Sequence, residues 1–224
     1  RHRGWCVGYL GANVSQSKIR TPLLRIPPDL VVLTATKIDT AAQLMHIAQH
    51  LVDREVPVAY GGRIFADLPA VRERITGQYL GDHLMPAIES IEHILMHGPI
   101  IKEAQPRDSV HQKALDAYAS QLAAIEADVS QAVADFAMPA EHLQAANLNL
   151  ASDIRAALDF GDLDLLGREI DWVEHYLAHY ELPPTLLRNY LEVYRGVVEN
   201  HLDGDAMPIL NWLARVSDQL STST

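Results

Sequence analysis

The residues with the clearest capacity to hold a ligand are two glycines. Val56-Pro57-Val58-Ala59-Tyr60-Gly61-Gly62 is a β-rich apolar run ending in Gly61 and Gly62. It sets a side-chain-free backbone at the carboxyl end of a strand, where open α/β sheets take their ligands. Paired glycines also make ordinary turns. Histidines recur at i, i+4 as His46 and His50, His93 and His97, and His175 and His179. That spacing chelates zinc only when a third ligand joins it; no Glu follows the first His in a His-Glu-x-x-His pattern, so these read as solvated surface pairs. Trp172, Tyr176, Tyr180, Tyr190 and Tyr194 place five of the chain's 14 aromatic residues within 23 positions, interleaved with His175, His179 and Arg188. Aromatic residues at helical spacing pack cores, wall pockets for flat conjugated ligands, or cover a face shared with another subunit. No Ser-His-Asp or Cys-His arrangement and no phosphate-binding glycine loop stands out, so nothing reads as an active site and a non-enzyme is expected.

The elements that must position these residues divide in two. Trp5 to Leu10, Leu30 to Thr34, Val56 to Tyr60 and Tyr79-Leu80 are short apolar runs, each followed by turn residues, and predict strands. Between the second and third, Asp39 opens a helix with Ala42, Met45, Ala48 and Leu51 on one face, broadened by Leu44 and Ile47. Leu68 to Arg74 predicts a shorter helical segment. Asp82 to His97 predicts a longer helix with a Leu84, Ile88, Ile91, Leu95 stripe, stopped by Gly98-Pro99. Ser15 to Ile26 is less regular, since Pro22 interrupts it and Pro27-Pro28 closes it. Strands alternating with helices imply a parallel sheet with crossover helices.

After a polar linker, 101–107, the strand signal vanishes. Val110, Ala114, Ala117, Leu122, Ile125, Val129, Val133 and Phe136 trace one helix ended by Pro139. Leu143, Leu150, Ile154 and Leu158 mark a second that stops near Gly161. Leu166, Ile170, Val173 and Leu177 mark a third, ended before Pro183-Pro184. Leu187, Leu191, Tyr194 and Val198 mark a fourth that closes at Gly204, and Ile209, Leu213, Val216 and Leu220 a last one. Long amphipathic helices with short breaks predict an antiparallel bundle over 108–220.

Charge follows the same division. Residues 1–100 carry 10 Lys/Arg and 9 Asp/Glu, net +1; residues 101–224 carry 8 and 20, net −12; together they give the chain's −11. Neither part has a basic patch, so no direct nucleic-acid contact is expected. No apolar stretch reaches the ~18 residues of a membrane span. The single cysteine, Cys6, sits in an apolar run, where packing is its expected role; with no partner for a disulfide it fits a reducing cytoplasm.

Residues 3 to 97 carry a resemblance. Gly4-Trp5-Cys6-Val7-Gly8-Tyr9-Leu10-Gly11-Ala12-Asn13-Val14, then Pro28-Asp29-Leu30-Val31-Val32-Leu33-Thr34-Ala35-Thr36, then Val58-Ala59-Tyr60-Gly61-Gly62-Arg63, then Gly77-Gln78-Tyr79-Leu80-Gly81 resemble, in order and spacing, the cobalamin (B12)-binding domain. The likeness is greatest to its sensory versions in bacterial regulators and photoreceptors. It implies a flavodoxin-like (Rossmann-like) domain over 1–100. It further implies a corrinoid whose nucleotide tail is anchored by hydroxyls at Thr34 and Thr36, passes Gly61 and Gly62, and is closed off by Tyr79. The family's cobalt-ligating histidine, in an Asp-x-His-x-x-Gly loop after its first strand, has no match, and that strand is also absent; the chain is expected to be the carboxyl part of a longer one. Glu199-Asn200-His201-Leu202-Asp203-Gly204 has related spacing but ends a helix, so His201 is not assigned to cobalt.

The expectation is therefore a cytoplasmic, oligomeric cobalamin-binding sensor. A second site for a linear tetrapyrrole would be made by Trp172, His175, Tyr176, His179, Arg188 and Tyr190, with Arg188 pairing its propionates. Two alternatives stand beside it: a corrinoid-carrying subunit of a methyltransferase or mutase, and a corrinoid-free interaction module.

Overall fold

A computed structural model describes residues 4–12, 19, 27–100, 104–136, 138–180, 182–183 and 185–222. The chain forms two compact units, Arg1–Gln105 and Pro106–Thr224. All but one residue of the irregular Ser15 to Ile26 segment lie outside the described residues.

In the first unit, β1 (Val31–Thr34), β2 (Val58–Gly61) and β3 (Gln78–Tyr79) make a parallel sheet in that order. Helix α1 (Ile38–Val52) joins β1 to β2. A short α2 (Arg63–Asp67) and a 3₁₀ segment (Pro69–Arg74) join β2 to β3, and α3 (Leu84–His97) follows. The short helical segment expected over Leu68 to Arg74 is the 3₁₀ segment; α2 before it was not expected, and the two are parted at Pro69, which lacks the N–H a continuing helix needs. Helix α1 starts at Ile38, one residue before Asp39, where the Thr40 hydroxyl accepts from the Lys37 N–H (3.2 Å) and donates to the Lys37 carbonyl (2.9 Å). It buries Ile38, Ala41, Ala42, Leu44, Ala48 and Leu51 and packs on β1 and β2.

Thr34 lies opposite Gly61 and Leu33 opposite Tyr60, so Val32, Thr34, Ala59 and Gly61 share one sheet face while Val58, Tyr60 and Tyr79 share the other. Helix α3 covers the first face through Ala87, Ile91 and Ile94, against Leu30, Ala59 and Leu80. It leaves β1 bare there: Val32 is 45% exposed. Of the expected Leu84, Ile88, Ile91, Leu95 stripe, Ile91 packs on the sheet while Leu84 and Leu95 are exposed. Ile94 is the residue α3 buries, and Leu84 stands 76% exposed.

Trp5 to Leu10 forms no strand; Cys6, Val7, Tyr9 and Leu10 are exposed, so Cys6 does not pack. Strand propensity is insufficient without a partner for the backbone donors and acceptors, and among the described residues the outer edge of β1 is paired with nothing.

The second unit is helical. It contains α4 (Ser109–Ala132), α5 (Ala140–Phe160), a 3₁₀ turn (Leu163–Leu166), α6 (Gly167–His179), α7 (Thr185–His201) and α8 (Met207–Thr222). Helix α4 is the hub, packing on α5, α7 and α8. The Asp108 carboxylate caps it, accepting from the Val110 and His111 N–H groups at 2.9 Å each. Helix α4 ends at Ala132, before Val133 and Phe136, which lie in the turn that follows. Gly161, at φ 75°, closes α5 in the left-handed conformation that favours glycine.

Candidate functional site

The carboxyl ends of β1 and β2 bring four of the five expected tail-binding residues together. Thr34 and Thr36 are exposed, and neither hydroxyl has a hydrogen-bond partner among the described residues. Between them, Ala35 is buried and its N–H donates to the Gly61 carbonyl (3.2 Å), tying the loop after β1 to the end of β2.

The two glycines do different things. Gly62 has φ 122°, and a β-carbon there would collide with the Ala35 carbonyl oxygen and stand 3.0 Å from the Ala35 N and C atoms. Its missing side chain makes room for this chain's own backbone. Gly61 has ordinary backbone geometry, and a β-carbon on it would meet only the Leu80 β-carbon, at 4.0 Å. The exposed strip beside β1 thus belongs to Val32 and Thr34; Gly61, next to them on β2, is itself buried.

Tyr79 is not brought to that strip. It projects from the opposite face into an aromatic cluster, its ring centroid 5.6 Å from that of Tyr60 and 6.3 Å from that of Phe65, with Tyr60 and Phe65 5.0 Å apart. The Arg72 guanidinium lies 4.1 Å from the Tyr79 ring centroid, donates to the Phe65 carbonyl (2.6 Å) and pairs with Asp82 at 3.7 Å. The Tyr79 hydroxyl donates to the Asp82 carboxylate. Burial raises the Tyr60 hydroxyl to about 12, opposed by the Arg72 charge. Burial, then the bond to Asp82, raises Tyr79 to about 12. Both therefore remain protonated donors at neutral pH. Tyr60, Phe65, Arg72 and Asp82 were missed in the sequence. Strand alternation was the available signal, since it sets Tyr60 on the face opposite Gly61.

In the second unit the six expected tetrapyrrole contacts divide between surface and core. Trp172 and Tyr176 stack along α6 (centroids 5.4 Å apart, planes at 28°), and Tyr180 continues the ladder at 4.6 Å. Trp172 is 61% and Tyr180 58% exposed. His179 meets the Tyr180 ring edge-on, and the His175 ring bonds the Asp171 carbonyl (2.6 Å). Arg188 is exposed and paired with Glu192 at 2.9 Å. Tyr190 is in the core, where its hydroxyl donates to Asn147 Oδ1 (2.8 Å) and Asn147 Nδ2 donates to Ser130 Oγ (2.9 Å). Beside them the hydroxyls of buried Tyr118 and Tyr194 bond each other at 2.5 Å. Burial pushes Tyr118, Tyr190 and Tyr194 above the usual phenol range.

A cleft of about 430 Å³ opens where the first turns of α4 and α8 meet Gly161. Its charged groups already serve this chain: His111 bonds Asp108 at 2.7 Å and Arg215 pairs with Asp164.

The histidine pairs stay local. His93 and His97 stack on each other with centroids 4.5 Å apart, and His50 takes Arg54 at 2.9 Å. His201, at the end of α7, pairs with Asp128 at 2.7 Å. No group of three or more His, Cys, Asp or Glu among the described residues could hold a metal, and no helix among them is long and apolar enough to cross a membrane. No protein-family model matches the chain, and no curated protein matches its sequence.

Proposed function

We propose that the first unit is a flavodoxin-like corrinoid-binding module and the acidic helical unit the part that relays its ligand state, in a cytoplasmic sensory or regulatory protein. The observation that carries this reading is the convergence of two exposed hydroxyls, Thr34 and Thr36, at the carboxyl end of β1, beside the exposed Val32 and the side-chain-free backbone of buried Gly61. Hydroxyls offer a donor and acceptors to a sugar-phosphate, and an uncovered Val32 beside them offers an apolar wall to a flat base. These residues suit the nucleotide tail of a corrinoid rather than its cobalt.

Gly62 favours a second reading. Its contact with Ala35 accounts for the glycine with no ligand at all, as a corrinoid-free interaction module would have it.

Incubation of the chain with hydroxo-, methyl- and adenosylcobalamin, followed by desalting, separates the two. Equimolar protein-bound corrin absorbance is expected. Gly61→Ala should then weaken binding while changing the thermal melt little, because its β-carbon meets only the Leu80 β-carbon, at 4.0 Å. Thr34→Val and Thr36→Val should each weaken binding roughly 2- to 12-fold, the worth of one hydrogen bond. Gly62 is a poor probe, since any side chain there collides with Ala35 whether or not a ligand binds. No retained corrin overturns the proposal in favour of the corrinoid-free module; retained corrin indifferent to all three substitutions removes the site.

A further inference from the structure

Helix α6 fully buries only Ile170 and Leu177, and in its stacked Trp172–Tyr176–Tyr180 ladder Trp172 and Tyr180 face solvent while Tyr176 is partly exposed. The ladder lies on a line with a particular order. Glu169, Trp172, Tyr176 and His179 are spaced 3, 4 and 3 residues apart, the step of a helix–helix seam. Read backwards, the order is His179, Tyr176, Trp172, Glu169. Two copies of this face laid antiparallel about a twofold axis therefore set Trp172 on Tyr176 twice at the centre and Glu169 against His179 at both ends. Ring meets ring and acceptor meets donor, which is the self-complementarity an isologous contact requires. The ends hold in either state of the histidine, because a neutral imidazole still has one N–H to donate to a carboxylate. Among the described residues neither Glu169 nor His179 has an ion-pair partner within its own chain.

We infer that this face of α6 binds a second copy of the chain, through an antiparallel pairing of the two α6 helices. The inference rests on α6 alone and stands whether or not the first unit holds a corrinoid. A buried Trp or Tyr covers about 150–250 Å², so Trp172 and Tyr180, each more than half exposed, with the partly exposed Tyr176 between them, supply no more than a few hundred Å² per copy. Standard interfaces use about 800 Å² per partner, so the association is weak and reversible, with a dissociation constant on the order of 10–100 µM.

Sedimentation equilibrium of the full chain across that concentration range tests it. Wild type should pass from monomer to dimer, and Trp172→Ala with Tyr176→Ala should remain monomeric with an unchanged far-UV melt. His179→Glu sets two carboxylates face to face at each end and should weaken association roughly 2- to 10-fold; adding Glu169→Lys should recover it. A wild type that stays monomeric overturns the inference, as does a dimer unaffected by the double alanine variant, or a reversed pair no tighter than His179→Glu alone. A monomer that retains a linear tetrapyrrole, lost with Trp172→Ala, would give the ladder to a ligand instead and equally overturn it.

Discussion

The two units solve the problem of burying apolar side chains to different degrees. In the helical unit α4 is enclosed by α5, α7 and α8, and buried polar groups pair across the core: Tyr118 with Tyr194, and Tyr190 with Asn147, which also bonds Ser130. In the α/β unit the sheet has three strands and one face half covered. Of the fourteen large hydrophobic residues exposed among those described, nine, from Val7 to Ile100, belong to it. Exposed apolar surface concentrated in one unit marks a place for a ligand or a partner, whereas the same residues scattered would mean little. The bundle is closed around α4, whereas the sheet unit leaves Val32 of β1 and Leu84, Met85, Leu95 and Met96 of α3 exposed.

The sharpest way to break this comparison is to cut apolar side chains from each unit. Ile154 is fully buried in α5, so Ile154→Ala removes methylenes from a closed core and should cost about 2–5 kcal/mol in urea unfolding. Leu84→Ala, on the exposed stripe of α3, should stay within about 0.5 kcal/mol. If Leu84→Ala costs as much as Ile154→Ala, that face of α3 is covered in solution and the contrast fails.

The tyrosine pair sharpens it further. Tyr118→Phe or Tyr194→Phe leaves the other hydroxyl buried without its partner, at a cost of about 1–3 kcal/mol, while the double Phe variant removes both groups and should be close to wild type. Additive single costs in that cycle would mean the pair is not formed. pH gives an independent reading. Burial raises the folded-state pKa of Tyr118, Tyr190 and Tyr194, so the folded state holds protons that unfolded tyrosine releases above about 10. Their contribution is complete below that pH and declines as the pH rises toward the folded-state values. Alkaline titration followed at the phenolate absorbance should show these three ionising together with unfolding, after the exposed tyrosines.

How legible this was depended on which property the sequence had to specify. Strands β1, β2 and β3 were visible because each apolar run ends in turn residues, and helices α3, α5 and α6 because their stripes end at Gly98, Gly161 or Pro183. Periodicity says that a helix has an apolar side, not which edge of a broad apolar side meets the core. On α3 the expected Leu84, Ile88, Ile91, Leu95 stripe shares Ile91 with the Ala87, Ile91, Ile94 line that packs on the sheet, but leaves Leu84 and Leu95 exposed. Trp5 to Leu10 has strand composition, yet pairing is a property of two segments and only one was in view. For the ligand residues, alternation alone parts Gly61 from Tyr79, since a register of Tyr60 with Tyr79 sets Gly61 beside Leu80. Composition treats the aromatic cluster as one group, whereas the fold divides it. Tyr190 and Tyr194 lie on the buried line of α7, whereas on α6 the apolar line of Ile170 and Leu177 runs apart from Trp172 and Tyr176.

The smallest effect concerns how the hub helix begins. Asp108 accepts from two backbone N–H groups and from the His111 ring, and these bonds, the His111 N–H first, hold its carboxyl below the usual range. A folded-state pKa below the unfolded one means a contribution present above about pH 4 and lost as the pH falls through the folded value. Asp108→Ala should cost about 0.5–2 kcal/mol at neutral pH, whereas Asp108→Asn, which keeps an oxygen acceptor for the capping bonds, should cost less. The difference between Asp108→Asn and wild type isolates the charge, and it should vanish in acid, where the wild-type carboxyl is also neutral. Urea unfolding of the three proteins at neutral and acid pH measures it. Because α4 packs on α5, α7 and α8, loss of the cap should lower the whole bundle transition rather than fray one end. A cost confined to the exchange rates of the first-turn amides would show that the bundle is held from its centre, with the start of α4 contributing nothing to it.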